Sequence, residues 1–234
     1  QSSKLVFDTV DGVSVWRFRN GRTRGVGKIK RALNETLLSF NAWRAISKDV
    51  KEEPFDGIIY YSPSIFFGWL VRKIKSKNRC VSYLILRDLF PQWAVDEGLI
   101  KNGSLIEKYF RFFESLNYKS ADTIGLMSPK NLDLFVSEHE NRFNTQVLFN
   151  WADTRQSELM SEKMDLRNKL GLEDRVIFFY GGNIGHAQDM SNLMRLAVSM
   201  KENEDVHFLF VGQGDEVELV KKTIERESLI NSTF

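Results

Sequence analysis

The run Val176–Asp189, VIFFYGGNIGHAQD, joins a short apolar strand to a glycine-rich turn and the start of a helix. Main-chain amides at such a turn can cradle a phosphate, and glycine lets the backbone approach it closely. Another glycine turn, Val211-Gly212-Gln213-Gly214, ends the strand that follows. Together they nominate the turn of Gly181, Gly182 and Gly185, with Gly212 and Gly214, as a phosphate-binding set. The alternative is a strand-to-helix turn that needs glycine for its geometry alone. A dinucleotide fingerprint fails on detail: the G-x-G-x-x-G frame would need glycine at Tyr180. The next strand also ends in Val211-Gly212-Gln213, without the acid that holds the ribose of NAD.

Arg87 and Asp88 directly follow an apolar run and are expected at the carboxyl end of a buried strand, where open parallel sheets bind ligands. They are the candidate catalytic pair, placed to meet a ligand in the cleft; a structural ion pair is the alternative. Asp96 and Glu97 read as an exposed acidic helix end. Residues 17–31, RFRNGRTRGVGKIKR, hold seven cations and no acid, and a further five lie between Arg72 and Arg79. Arg22, Arg24, Lys28, Lys30 and Arg31, with Trp43 on the adjoining helix, are the candidate acceptor and membrane contacts. Each cation near an anionic headgroup contributes about 1 kcal/mol. A solvated charged face is the plain alternative, and nucleic acid is not the expected partner. His139, His186 and His207 lack Cys or acid neighbours at ligand spacing, so no metal is expected. There is no Gly-x-Ser-x-Gly elbow and no P-loop to support a hydrolase or kinase.

These residues need a scaffold. With 234 residues, 42% hydrophobic and 27% charged, the chain fits one large domain or parts of two. The single cysteine, Cys80, cannot form an internal disulfide, so a reducing cytoplasm is the prior. No apolar run of about eighteen residues is present, so membrane contact is expected to be peripheral. Alternating runs from Lys4 to Phe7 and from Val13 to Phe18 flank the turn signal Asp11-Gly12 and predict a hairpin. Ile29, Leu33, Leu37, Phe40 and Ile46 predict one long helix over 27–51. From 57 to 149 short apolar strands alternate with amphipathic helices, the mark of an α/β parallel sheet covered on both faces. The cycle restarts after a polar helix over 151–170, with two strands, 176–180 and 206–211. A boundary is expected near Asn150–Asp153, giving a first unit of 1–150 and a second of 151–234. Two strands are too few for a nucleotide-binding fold, and the first unit lacks an opening glycine-rich strand turn, so material is expected beyond both ends.

Tyr180, Gly182, Val211, Gly212, Gly214 and Glu216 form a Tyr-x-Gly turn followed by a strand ending in Val-Gly-x-Gly-x-Glu. This resembles the donor half of family-four retaining GT-B glycosyltransferases. Tyr61-Ser62-Pro63, Leu86–Pro91 and Asn150–Asp153 are similar to the bacterial subgroup that adds amino sugars, fucosamine among them, during O-antigen or capsule assembly. The resemblance implies two Rossmann-like domains, an acceptor-side first and a donor-nucleotide-binding second. The cations that neutralise the donor diphosphate in the family fall on Asn183 and Gln188 here, so phosphate binding would lean on backbone amides. The family's ribose-binding and sugar-side carboxylates are expected beyond Phe234.

The implied activity is metal-independent, cofactor-free transfer of a sugar, with retention, from a nucleotide-sugar. A lipid-pyrophosphate-linked glycan would accept it at an anionic inner-membrane surface. The rival readings are a nucleotide- or lipid-binding fragment without turnover and, from another class, a Rossmann oxidoreductase. The 234 residues alone are expected to bind UDP-sugar weakly or not at all, without turnover.

Overall fold

The computed structural model describes residues 5–23, 25–62, 64–154 and 166–234, and only the main chain of Lys28 and Ile29. The chain divides into two compact units, Gln1–Asp153 and Thr154–Phe234. Unit 1 opens with β1 (Leu5–Val10) paired antiparallel to β2 (Val13–Phe18). Asp11 and Gly12 both take positive φ, 51° and 80°, as a two-residue hairpin loop of the I′ kind requires.

The single helix expected over 27–51 is instead three pieces: α1 (Lys28–Thr36), α2 (Leu38–Ile46) and α3 (Asp49–Glu52). The first break is slight, because Leu37 N still reaches Leu33 O at 3.0 Å and Asn41 N reaches Leu37 O at 2.9 Å. Thr36 accounts for it: its hydroxyl bonds back to Ala32 O at 2.7 Å, which loosens a helical turn.

Four parallel strands follow in simple succession, β3 (Gly57–Tyr61), β4 (Val81–Leu86), β5 (Thr123–Leu126) and β6 (Thr145–Val147), in spatial order β3-β4-β5-β6. Between them run α4 (Gly68–Asn78), α5 (Gln92–Asp96), α6 (Leu105–Tyr118) and α7 (Pro129–Glu138). Helices on both faces were the expectation; among the described residues they lie on one. Val71 of α4, Tyr118 of α6 and Phe135 of α7 join Tyr60, Leu84 and Leu126 in a single core. On the opposite pleat Ile59, Tyr61 and Val81 are exposed. Strand order gives the reason. Right-handed crossovers that always step in one direction deposit every helix on the same side, and only a reversal of order sends helices to the other.

A smaller core of Val50, Ile74 and Cys80 receives Trp16 from the hairpin and Trp43 from α2. Asn117, on the inner face of α6, is fully buried, and among the described residues neither its amide nitrogen nor its amide oxygen has a hydrogen-bond partner.

Unit 2 runs α8 (Leu166–Leu170), β7 (Val176–Asn183), α9 (Met190–Ser199), β8 (Val206–Gln213), α10 (Val217–Arg226) and β9 (Ser232–Thr233). Of the polar helix expected over 151–170, residues 166–170 are helical, and 155–165 lie outside the described residues. The strands are parallel in the order β7-β8-β9, so two expected strands become three. A two-residue strand such as β9 is too short to show an alternation in sequence. Ile184, Met194, Phe208, Phe210, Val220 and Leu229 form the core between the sheet and α9 and α10.

Candidate functional site

β7 does not end at Tyr180 as its apolar run suggests. Gly181, Gly182 and Asn183 continue the ladder, opposite Val211, Gly212 and Gln213. Glycine on β8 makes this possible. A Cβ at Gly212 would sit 1.9 Å from Gly182 O, and one at Gly214 would sit 2.0 Å from Ile184 O, so the two chains pass where no other side chain fits. The turn proper is therefore 184–189 rather than 181–185. Ile184 N is taken by Gln213 O at 3.0 Å, Gln188 N by Gly185 O at 3.0 Å and Asp189 N by His186 O at 3.1 Å. Among the described residues the successive amides of Gly185, His186 and Ala187 donate to no acceptor. Three idle amides in sequence are the main-chain equipment of an anion site.

The side chains around them temper that capacity. Asn183 Nδ2 donates to Gln188 Oε1 at 2.9 Å, so the two uncharged residues at the family's cation positions bond each other. Asp189, in the left-handed region with φ 43°, occupies the N-terminus of α9, accepting from Asn192 N at 3.2 Å. The Ser191 hydroxyl, at 2.7 Å, holds the Asp189 carboxyl below its ordinary range. His186 lies 3.0 Å from Glu216 and is the imidazole nearest the free amides. A ligand phosphate here would meet main-chain dipoles and His186; Arg195 is a basic side chain whose charge acts on Asp189, and the Asp215 carboxylate stands 2.8 Å from where a Cβ on Gly185 would lie.

In unit 1, Arg87 and Asp88 emerge at the carboxyl end of β4, but they do not pair. Arg87 donates through Nη1 to Asn150 Oδ1 and its guanidinium stands 5.1 Å from the centroid of the Trp151 ring. It fastens the chain leaving β6 to the end of the sheet. Asp88 turns the other way, into a cleft of about 430 Å³ walled by Phe90, Trp93 and Phe110, with Arg31 and Glu35 of α1 at its side. Partial burial raises the Asp88 carboxyl above its ordinary value, and its main-chain oxygen accepts from Ser62 Oγ at 3.4 Å. A carboxylate beside the exposed Trp93 ring and the half-buried Phe90 and Phe110 is suited to a sugar, whose hydroxyls donate and whose ring face is apolar. Phe90, Trp93 and Phe110 were not singled out from sequence, since their spacing also reads as helix core.

Of the basic segment, Arg22 and Lys30 line a separate hollow with Arg19. Arg31 is paired to Glu35 at 2.8 Å. Arg24 and the side chain of Lys28 lie outside the described residues. Trp43, expected as a surface anchor, instead packs against the Val50, Ile74 and Cys80 core. The helix face that carries it points inward, because Ala42 beside it is buried. Asp96 accepts from Gln92 Nε2 at 2.7 Å within α5, a helix-surface contact. His139 sits among Tyr118, Phe135 and Phe143, and His207 bonds Thr233 Oγ1 at 2.8 Å. Among the described residues no three His, Cys, Asp or Glu side chains come together as metal ligands, and no helix is long and apolar enough to cross a membrane.

No protein-family model matches the chain. It is similar to WbjE of Pseudomonas aeruginosa, which is named a glycosyltransferase: 28% identity over 141 residues, covering 59% of this chain and 35% of the relative. It is also similar to WcaI of Escherichia coli (strain K12), which is named for a glycosyl transferase role in colanic acid biosynthesis. There the identity is 23% over 226 residues, covering 94% of this chain and 55% of the relative. The chain thus spans about half or less of the length of these curated relatives. Among solved structures, Anabaena Alr3699/HepE in complex with UDP superposes with a TM-score of 0.55 at 16% identity, over 87% of this chain and 52% of that one. The likeness shows the fold: α/β, in Rossmann-like parallel-sheet units of the GT-B kind.

Proposed function

We propose that this chain belongs to a glycosyltransferase that moves a sugar from a nucleotide-sugar, UDP-linked, to a hydroxyl of a lipid-linked glycan. The setting is an anionic inner-membrane surface during O-antigen or capsular polysaccharide assembly. The resemblance to family four adds retention at the anomeric carbon and an amino sugar of the N-acetyl-L-fucosamine type. The carrying observation is the row of unengaged amides at Gly185, His186 and Ala187 beside the β7–β8 glycine crossing, on a chain whose relatives are named glycosyltransferases.

In the reaction the bond between the anomeric carbon and the diphosphate oxygen breaks as the acceptor oxygen bonds to that carbon. The acceptor's proton leaves with the diphosphate, on which negative charge gathers. The amides of 185–187 stabilise that charge, an electrostatic contribution that needs neither a metal nor a nucleophilic side chain. In unit 1, taken by itself, the cleft of Asp88, Trp93 and Phe90 is suited to hold a sugar by a hydroxyl and a ring face. Arg87 acts as a positioning residue, held by Asn150 and Trp151.

Uncharged Asn183 and Gln188, and Asp189 already on the α9 N-terminus, favour weak donor binding and no turnover by these 234 residues. Amide chemical shifts of the labelled chain test the reading. Titration with UDP should move Gly185, His186 and Ala187, with dissociation in a weak range, and NAD should leave them in place. A response to NAD in place of UDP removes the transferase assignment, and an unmoved turn at saturating UDP removes 185–187 as the diphosphate site. Detectable sugar transfer by the chain alone removes the expectation of inactivity.

A further inference from the structure

Three features stand side by side on the surface of unit 1. Arg19, Arg22 and Lys30 border a groove of about 460 Å³ floored by Asn20, Asn34 and Asn41. The asparagines hold it in shape: Asn41 Nδ2 reaches Asn20 Oδ1 at 2.8 Å, Asn34 Nδ2 reaches Arg22 O at 2.7 Å and Asn20 Nδ2 reaches Asn34 O at 3.2 Å. Arg17 and Arg31 nearby are paired to Asp8 and Glu35, but among the described residues no carboxylate pairs with Arg19, Arg22 or Lys30. The groove is built, concave and carries three uncompensated positive charges.

Next to it, offset by three residues from Lys30 and Asn34, a row of apolar side chains faces water. Leu33, Leu37 and Phe40 are 59%, 49% and 50% exposed. On the far side of that row the hydroxyl of Thr36 hydrogen-bonds that of Tyr109, which sets α6 beside α1. Leu105, Tyr109 and Phe112, at i, i+4 and i+7, form one face of α6. Leu105 is 84% exposed and Phe112 64%. Single apolar side chains on a surface are ordinary, but two adjoining rows rimmed by cations form a face for a partner with the opposite arrangement.

We propose that this strip docks on an anionic phospholipid surface. A headgroup phosphate sits among Arg19, Arg22 and Lys30, and the rows of α1–α2 and α6 enter the boundary of the acyl chains. The inference rests on the membrane part of the function proposed above and relocates its centre: Leu33, Leu37, Phe40 and Phe112 make the contact, and inward-facing Trp43 takes no part. The combination selects this occupant. Nucleic acid would satisfy the groove but not the apolar rows, and another copy of the chain would satisfy the rows while bringing cations against cations. An anionic bilayer answers both.

Co-sedimentation of the full chain with phosphatidylcholine vesicles, with and without phosphatidylglycerol, tests it. The chain should bind only the anionic vesicles. The triple variant Arg19→Gln/Arg22→Gln/Lys30→Gln should bind about a hundredfold more weakly, three cations at about 1 kcal/mol each. Leu105→Ser/Phe112→Ser should lose about tenfold in affinity yet keep its salt dependence. The side chains changed in both variants face solvent, so circular dichroism should report an unaltered fold. Phe112→Trp should shift its emission to the blue on anionic vesicles alone.

If the chain binds neither vesicle, the strip and the membrane reading both fall. If it binds but the serine variant is unaffected, attachment is purely electrostatic and the strip falls while the membrane reading stands. If the free chain is a dimer that the serine variant dissociates, the partner is another copy and the proposal is overturned.

Discussion

His186 Nδ1 and Glu216 Oε1 lie 3.0 Å apart, tying the turn after β7 to the start of α10. The main chain ties the same two places, through Glu216 N to Ile184 O at 3.0 Å. Glu216 is mostly covered, whereas the His186 side chain is 70% exposed. The imidazole is thus the open partner of the pair, within the same turn as the free amides. His186→Ala should weaken UDP binding several-fold and cost about 1 kcal/mol of stability, since the side chain removed is the exposed partner of the pair. Equal UDP affinities in the variant and the parent chain would count against it.

The glycine crossing should be intolerant. Gly212→Ala or Gly214→Ala puts a methyl group where Gly182 O or Ile184 O already sits, so β7 and β8 must separate at the turn. Overpacking against main chain is expected to cost about 2–3 kcal/mol. Urea unfolding midpoints, and loss of the UDP-induced shifts at 185–187, provide the two readings. A variant that unfolds at the parental urea concentration would mean the chains can slide apart freely.

Acid should destabilise the protein before its carboxylates titrate. Burial lowers the pKa of His139, among three aromatic rings, and of His207, beneath their ordinary 6.5. The unfolded chain then takes these protons first, so stability is full above that value and falls as pH drops through it toward the folded values. Asp122 adds a later loss below 3.8, because Lys75 Nζ at 2.7 Å and Ser82 favour its charged form. Glu114 and Asp88 act in the opposite sense: burial raises both, so their contribution is present at low pH and is lost as pH rises past their ordinary range. His139→Phe should flatten the slope of unfolding free energy between pH ~7 and ~5. An unchanged slope would place the early acid loss elsewhere.

Trp43 offers a contrast between two roles. Packed on Val50, Ile74 and Cys80, it should behave as a core residue: Trp43→Ala is expected to lower stability by about 2–4 kcal/mol. Vesicle affinity of the folded variant should be unchanged. A stable variant with lost vesicle binding would restore it to the surface.

The alternation of apolar runs made the parallel strands and most helices legible, because burial of one pleat or one helix face repeats at a fixed period. Asp11-Gly12 announced its hairpin for an equally local reason. What escaped is non-local. Covering of a single sheet face follows from strand order, which no window of sequence contains. The extension of β7 through Gly181–Asn183 depends on glycines thirty residues later. Trp43 and Phe40 share a helix, and only the position of the hairpin and α4 decides that one is covered and the other open. At the site, the glycine turns and Asp88 were visible as residue types. The cleft partners Phe90, Trp93 and Phe110 were not, since aromatic residues are the same in sequence whether they wall a cavity or fill one.

Asn117 is a cost carried inside unit 1. Both ends of its amide are buried and meet no mate among the described residues, so folding strips it of hydration without a compensating bond there. A leucine of similar bulk would carry no such penalty. The interior of this unit thus holds headroom for thermal hardening at one position, and Asn117→Leu should melt later than its parent in calorimetry.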